Sequence, residues 1–230
     1  MPIKEHSTQD LLQGNLTFME IVWHGHSYYR LKGREGIVVT DPTPQKGSGS
    51  SSRTPADVCT ISHAHPGHSQ VSTVAGTPKI LDGPGEYEVK GIVITGIPTF
   101  HDAERGKKRG KNTAFLIELD DLVVCHLGDL GHIPTTEQVD QIGNNVDVLL
   151  IPVGGDGTID AAQAVEVISL IDPRVVIPMH YRVDDLDTNL DPVDKFLREM
   201  GVAQAEPQPR AVISKNSLPD ATQVMVLQPR

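Results

Sequence analysis

The amino-acid sequence predicts an α/β domain in which two β-sheets lie between helical layers. Three observations support this fold class. Short segments rich in β-branched or aromatic residues follow one another through the first half of the chain. From about residue 133 onward, strand-like segments alternate with helical ones, and no long linker interrupts the chain. This order of elements is typical of a layered domain whose helices cover packed sheets.

Length and composition favour one globular domain. The 230 residues are 38% hydrophobic and 22% charged, with a net charge of −10. We expect residues 1–15, which are polar and mixed in charge, to form a flexible leader rather than a signal peptide, and residues 16–230 to form the single domain. No apolar run is long enough for a membrane helix, so we expect a cytoplasmic protein with no membrane partner. The acidic charge argues against a nucleic-acid partner, and the oligomeric state is left open.

Strands are predicted where short apolar segments end in Gly, Asn or Asp. In the first half of the chain they cover residues 18–23, 27–31, 36–40, 57–62, 86–89, 91–95, 113–119 and 121–127. Near-continuous apolar runs predict buried strands at residues 146–153 and 174–179, and residues 222–227 predict a closing strand. Residues 43–57, which are rich in Gly, Ser and Pro, predict a flexible loop inside the domain.

Three helices are predicted in the second half. The first covers residues 137–143. The second runs from Ile159 to Ile171 with apolar residues along one face, Thr158 as its N-cap and Asp172-Pro173 as its end. The third begins with Asp191 as N-cap and Pro192 as its first helical residue, and it ends at Gly201.

The strongest chemical signal is a histidine cluster directly after a buried strand. His63 and His65 stand two residues apart, so in an extended or turning segment both can project to one side and reach the same ion. His68, one short turn further on, would face a neighbouring position. Imidazole is a common ligand for zinc and similar ions. The alternative is a polar loop that happens to be rich in histidine.

Further candidate ligands also follow predicted strands. His101, Asp129 and His180 each stand after an apolar segment. Taken singly, an aspartate in a glycine-flanked turn is usually a turn former, and a strand-end histidine is usually ordinary. Their recurrence at four strand ends favours a metal site, because α/β folds commonly place sites at the ends of their strands.

These residues lie in nine stretches that together resemble the metallo-β-lactamase superfamily. The stretches are IVWHGHS, VVTDP, ISHAHPGH, GPGEY, TFHD, RGKN, HLGDLGH, LLIPVGG and IPMHY, in that order. The likeness is greatest to small prokaryotic metal-dependent hydrolases related to ascorbate-6-phosphate lactonases. It implies a four-layer αββα sandwich with the metal site along one edge, between the two sheets.

The resemblance also implies a ligand set. It assigns His63, His65 and His101 to a first metal, His68 and His180 to a second, and Asp129 to both. Asp129 and His180 are the candidate catalytic residues, and Asp41 is the carboxylate expected to orient a ligand histidine. The donors suit one or two zinc ions, with manganese or iron as alternatives. His26 and His132 match motif positions without an assigned role, and His24 and His126 are interpreted as ordinary structural histidines.

One residue departs from the family pattern His-x-His-x-Asp-His. Gly67 stands where the aspartate belongs, and glycine can neither bind the second metal nor orient water. The expected function is therefore a hydrolase with a depleted second site, which uses a metal-activated water on a small anionic ester, lactone or phosphoester. The alternative is a catalytically weak or inactive metal- or ligand-binding member of the same fold. A nuclease is a third hypothesis, which the acidic charge disfavours.

A basic segment follows His101. Five of the seven residues from 105 to 111 are basic: Arg105, Lys107, Lys108, Arg109 and Lys111. In so acidic a chain, this segment predicts an electropositive lip that attracts an anionic small molecule, with Arg105, Arg109 and Lys111 as candidate substrate-binding residues. A solvated loop is an equally good interpretation.

Overall fold

The computed structural model describes residues 17–43, 53–183 and 189–230. The predicted leader at 1–15 lies outside the described residues, as does most of the predicted loop at 43–57. The limits of the domain therefore remain a prediction. Among the described helices, none has the length and apolar character that a membrane crossing requires.

The described elements follow the order that the sequence predicts, many strands first and helices later. The strands are β1 (Met19–Trp23), β2 (Tyr29–Lys32), β3 (Ile37–Thr40), β4 (Thr54–Pro55), β5 (Val58–Thr60), β6 (Val74–Ala75), β7 (Lys79–Leu81), β8 (Gly85–Val89), β9 (Ile92–Phe100), β10 (Lys111–Leu119), β11 (Leu122–His126), β12 (Val148–Pro152), β13 (Val175–Met179), β14 (Ala211–Ile213) and β15 (Gln223–Val224). The helices are α1 (Thr136–Ile142), α2 (Ala161–Ile171) and α3 (Val193–Glu199). The short strands β4, β6, β7 and β14 were not predicted.

Two large sheets form the centre of the fold. The first has the strand order β14-β1-β2-β3-β5-β7, and the second has the order β15-β13-β12-β11-β10-β9-β8. Within the first sheet, β1, β3 and β5 run in one direction, since β2 is antiparallel to both β1 and β3 and β5 is parallel to β3. Within the second, β9, β11, β12 and β13 likewise share a direction. In each sheet, the carboxyl ends of these strands therefore meet at one edge.

The alternation of side chains along the strands divides the core in two. Val38 and Val58 face the large core between the sheets, whereas their neighbours Val39 and Cys59 belong to a smaller cluster on the opposite face of the first sheet. Cys59 and Cys125 are both buried, and no disulfide joins them.

The two outer faces are covered differently. α1 packs against β9, and α2 packs against both α1 and α3, so a helical layer lies over the second sheet. Over the first sheet, the described residues supply the small β4-β6 sheet and a single 3-10 turn at Val71–Thr73. Gly76 and Pro78 follow this turn, and such residues do not favour a long helix.

Two predicted helix starts are wrong by one or two residues. α2 is capped by Asp160, whose carboxylate accepts a hydrogen bond from the backbone of Gln163 while the Gln163 side chain bonds back, so Thr158 is not the N-cap. The predicted end is confirmed, since Asp172 takes a left-handed backbone conformation there. Pro192 is the N-cap of α3 in place of Asp191, whose carboxylate instead pairs with Lys195 at 2.7 Å.

Candidate metal centre

The candidate ligands lie where the carboxyl ends of the strands meet. Asp41 follows β3, His63 follows β5, His101 follows β9, Asp129 comes three residues after β11, and His180 follows β13. The apolar residues of each strand are buried in the core. The strand ends where polar residues begin, and there the chain leaves the sheet. The strand directions thus bring together residues that are up to 139 positions apart in the sequence.

The carboxylate of Asp129 is the centre of this cluster. Its Oδ2 lies 3.3 Å from the Nε2 atoms of His68, His101 and His180, and 3.7 Å from that of His63. Asp129 is only 2% exposed. A buried carboxylate surrounded by four imidazole nitrogens is chemically suited to share cations with them.

The potential ligand atoms fall into three overlapping groups. His63, His65 and His101 form one group, His68, Asp129 and His180 form a second, and Asp41, His63 and His68 form a third; within each group the atoms lie within 4.8 Å of one another. The first two groups coincide with the two ligand sets that the family resemblance implies. The roles of these residues as ligands stay a prediction.

The tautomer of His63 follows from its neighbours. The Ser62 hydroxyl donates to Oδ2 of Asp41 at 2.6 Å, and the Ser62 backbone N–H donates to Oδ1 at 2.7 Å. Since the hydroxyl proton already bonds to Asp41, the Ser62 oxygen must accept a hydrogen bond from the Nδ1–H of His63, 2.8 Å away. The lone pair of Nε2 then faces Asp129. Asp41 thus orients a candidate ligand histidine through Ser62, and it also lies 3.5 Å from Nδ1 of His68.

A backbone carbonyl orients His101. Nδ1 of His101 lies 3.2 Å from the carbonyl oxygen of Gly157, which can only accept, so Nδ1 carries the proton. The Nε2 lone pair therefore also faces Asp129. The carbonyl comes from the loop after β12, the VGGDG segment, and this gives that motif a structural role.

Burial and charge keep these groups in the protonation states that a metal site needs. Burial lowers the pKa of His63 to about 4, although the charge of Asp129 opposes it, and burial likewise lowers the pKa of His101. Burial also opposes ionisation of Asp129, but the charges of His180 and His68 hold its pKa well below the ordinary value. At neutral pH, the neutral imidazoles of His63 and His101 therefore lie beside an ionised carboxylate.

A metal ion fits these residues. Nε2 of His63 is buried and has no hydrogen-bond partner among the described residues. An unsatisfied buried polar atom is unusual and calls for an explanation such as an ion. Here the atom is a neutral nitrogen donor that faces a carboxylate, which is the chemistry of a zinc-type ligand.

The space beside Gly67 is open. A Cβ built at this position would meet no atom within 4 Å, and the backbone of Gly67 is not in the left-handed region. Asp102 and Asp156, which could be considered as substitute carboxylates, belong to no ligand group among the described residues. Both carboxylate oxygens of Asp102 accept backbone N–H groups, those of Glu104, Gly106, Lys108 and Arg109, and Asp156 pairs with Arg109 at 3.4 Å.

The basic segment forms a loop that Asp102 holds in place. The four backbone hydrogen bonds lower the pKa of Asp102 to about 2, the bond from Arg109 contributing most. The Arg109 side chain lies against Gly157, where any Cβ would clash with it. Arg109 therefore lies close to the residue that orients His101. Arg105 and Lys111 are both exposed, and Lys111 begins β10.

Sequence reasoning missed several residues that support the site. Ser27 donates its hydroxyl proton to Oδ1 of Asp129 at 3.0 Å, and the Asn112 side chain accepts the Asp129 backbone N–H at 3.0 Å. Gly154 is needed because a side chain there would clash with the carbonyl of His180. All three residues lie in stretches that carry the family resemblance. The pattern of residues around each of them does not identify the distant residue that it contacts.

His132 and His126 are separate from the two main ligand groups. His132 lies between two backbone groups: its Nε2 accepts the N–H of Phe100 at 3.2 Å and its Nδ1 donates to the carbonyl of Ile133 at 2.8 Å. Nε2 of His126 donates to the carbonyl of Ser27 at 2.9 Å. These bonds support a structural interpretation of both residues.

Comparison with known proteins places the chain in a family. Residues 20–180, more than half of the sequence, match the model of the Beta-lactamase superfamily domain. A solved structure from Thermotoga maritima, proposed to be a Zn-dependent hydrolase of the metallo-β-lactamase superfamily, is 38% identical with a TM-score of 0.76, and the match covers 92% of this chain and all of that one. The chain therefore belongs to the metallo-β-lactamase superfamily, and both the family resemblance and the predicted sandwich fold are confirmed.

Curated relatives extend the comparison. A metal-dependent hydrolase from Pyrococcus horikoshii is 25% identical over 191 residues, which cover 71% of this chain and 84% of the relative. A metal-dependent hydrolase from Thermoplasma acidophilum is 28% identical over 196 residues, which cover 73% and 85%. The chain thus spans most of the length of these relatives.

Proposed function

We propose that this protein is a metal-dependent hydrolase that uses a metal-activated water on a small anionic ester, lactone or phosphoester. The observation that carries the proposal is the buried Asp129 carboxylate, whose Oδ2 lies within 3.3 to 3.7 Å of four imidazole nitrogens. The names of the relatives from Pyrococcus horikoshii and Thermoplasma acidophilum agree with it.

The proposed ligands are those that the geometry brings together. His63, His65 and His101 would hold a first ion with Asp129, and His68 and His180 would hold a second with the same carboxylate. The mixture of nitrogen and oxygen donors suits zinc, with manganese or iron as alternatives. When bound, such an ion supplies Lewis acidity to a water molecule and to the substrate oxygen.

The chain's own residues prepare this chemistry. Ser62 and the Gly157 carbonyl hold the Nδ1 protons of His63 and His101, so both Nε2 lone pairs stay available. Ser27 fixes one oxygen of Asp129 and leaves the other to the histidines. In the proposal, Asp129 and His180 also contact the reacting groups. His180 is partly exposed, and its Nε2 lies 3.3 Å from Oδ2 of Asp129.

The basic lip is proposed to select the substrate. Arg109 lies against Gly157, beside the His101 end of the cluster, and Arg105 and Lys111 belong to the same basic segment. Guanidinium groups bind carboxylates and phosphates through paired hydrogen bonds. A small molecule that carries one such group next to its scissile bond matches this arrangement.

Metal content and hydrolysis, measured on the same tag-free protein, test the proposal. Elemental analysis before and after reconstitution with Zn²⁺ or Mn²⁺ should find about one ion or more per chain. His63→Ala and His101→Ala should each lose metal, whereas His24→Ala, which removes a histidine whose ring contacts Tyr28, should retain it. The loaded protein should hydrolyse members of a panel of anionic esters, lactones and phosphoesters. A chain that binds no metal after reconstitution contradicts the proposal.

Gly67 favours one alternative. Because this position supplies no ligand atom, a catalytically weak or inactive metal-binding member of the fold is the second candidate function. Full metal loading without hydrolysis of any panel substrate would support that alternative and refute the hydrolase.

A further inference from the structure

The second ligand group lacks a carboxylate of its own. It contains His68, His180 and Asp129, but Asp129 also faces His63 and His101, so both groups depend on one carboxylate. Gly67 contributes no atom. Loss of a carboxylate removes both a donor and a negative charge, and each weakens the binding of a second cation.

His26 lies beside this group. It belongs to the turn between β1 and β2, and its ring centre is 5.9 Å from that of His180 and 6.5 Å from that of His68, which are themselves 5.8 Å apart. Two imidazoles on one tetrahedral ion have ring centres about 5 Å apart, because each metal–nitrogen distance is about 2.0–2.1 Å. The spacings from His26 to His180 and to His68 are both longer than this, and a rotation of the exposed His26 side chain would shorten them.

The backbone at His26 is tied to the second ligand group. Its carbonyl accepts the indole N–H of Trp23 at 2.9 Å and the backbone N–H of His180 at 3.3 Å. The φ angle of His26 is +46°, a left-handed conformation that few residues other than glycine adopt. Unusual backbone of this kind concentrates at functional sites. The chain therefore holds the imidazole of His26 next to a candidate ligand.

We propose that His26 serves as a ligand at the second metal position, in place of the aspartate that Gly67 lacks. This inference rests on the proposed function, since it requires that the cluster binds metal. A nitrogen donor in place of a carboxylate favours zinc over manganese, because imidazole suits zinc and carboxylates suit manganese. His26 thereby determines both the occupancy of the second position and its metal preference.

Zinc stoichiometry in four proteins tests the inference without an activity assay. His26→Asn removes the imidazole, and asparagine tolerates the left-handed backbone. His24→Asn is the matched control in the same turn. After reconstitution and dialysis, the wild type and His24→Asn should hold about two zinc ions per chain and His26→Asn about one. The visible spectrum of stepwise Co²⁺ addition should lose its second phase in His26→Asn.

A rescue variant separates ligation from a structural effect. Gly67→Asp introduces the family carboxylate into open space, so the double variant His26→Asn with Gly67→Asp should again hold about two ions. Circular dichroism confirms that each protein is folded. Unchanged zinc content in His26→Asn, or a folded double variant that stays at the lower content, would overturn the inference. A wild type that binds no zinc after reconstitution would overturn the proposed function instead.

Discussion

The hydroxyl of Ser27 donates a hydrogen bond to Oδ1 of Asp129 across 3.0 Å, although the two residues are 102 positions apart. The backbone carbonyl of the same serine accepts bonds from His126 at 2.9 Å and from Thr40 at 2.8 Å. Ser27 thus joins the first sheet to the second at the candidate metal centre. Because Oδ1 is engaged, Oδ2 is the oxygen that faces the histidines.

Removing this hydroxyl should weaken metal binding. In Ser27→Ala the carboxylate of Asp129 is free to rotate, and loss of a group that orients a ligand typically lowers metal affinity by about ten- to a hundredfold. Competition with a chelator of known affinity measures the change. Ser169→Ala, which removes an exposed helical hydroxyl, is the matched control. Equal affinity in Ser27→Ala and the wild type would show that Ser27 does not hold the carboxylate.

The basic lip should affect substrate binding more than turnover. Neutralising Arg105 and Arg109 together should raise the KM for anionic substrates and leave that for neutral analogues unchanged, because the lost interaction is with the charge of the substrate. Arg210→Ala is a control for the loss of an arginine outside the basic segment, since Arg210 pairs with Glu20 on β1. Steady-state kinetics with matched anionic and neutral esters decide the point. If the KM changes for neither class of substrate, the basic segment is a solvated loop that does not bind the substrate.

The metal-free protein should lose stability as the pH falls below neutrality, and His126 should contribute. Burial lowers the pKa of His126 below its ordinary value of 6.5. Below that value the unfolded chain binds a proton that the folded chain does not, so unfolding becomes more favourable as the pH falls. The free energy of unfolding, measured with urea at several pH values from 7.5 to 5, should therefore fall less steeply with pH for His126→Asn than for the wild type. Parallel slopes would contradict this linkage.

The sequence predicted the positions of the candidate ligands because two local signals coincide. Apolar β-branched runs predict buried strands, and the polar residue that ends each run must lie at a sheet edge. For His63, His101 and His180, the structure agrees with this reasoning. The family resemblance then grouped these residues, which local pattern alone could not do.

The supporting residues were beyond such reasoning. Ser62, Asn112 and Gly157 act through hydrogen bonds to Asp41, Asp129 and His101, and their own segments do not specify these partners. The N-cap predictions were wrong for a related reason. Thr158, Asp160 and Asp191 are all of residue types that favour the N-cap position. For α2, only the capping box with Gln163 selects Asp160. The strand β14 was missed because its three residues carry little pattern and pair with β1, nearly 200 positions away.

Restoring the family carboxylate in the wild-type background should change the metal preference. A Cβ at Gly67 meets no atom within 4 Å and the backbone there is not left-handed, so Gly67→Asp should fold without strain. The added oxygen donor should raise the affinity for Mn²⁺ more than that for Zn²⁺, since carboxylates suit manganese. The added negative charge should also hold the second ion more tightly, and hydrolysis should become faster.

Gly67→Asn is the control for this prediction, because it adds nearly the same atoms without the charge. Metal titrations with both ions, followed by hydrolysis at full loading, compare the three proteins. If Gly67→Asp binds no more metal than Gly67→Asn and hydrolyses no substrate faster, the missing aspartate does not limit the second site. In that case, we would expect a substrate or other ligand to occupy the open space beside Gly67.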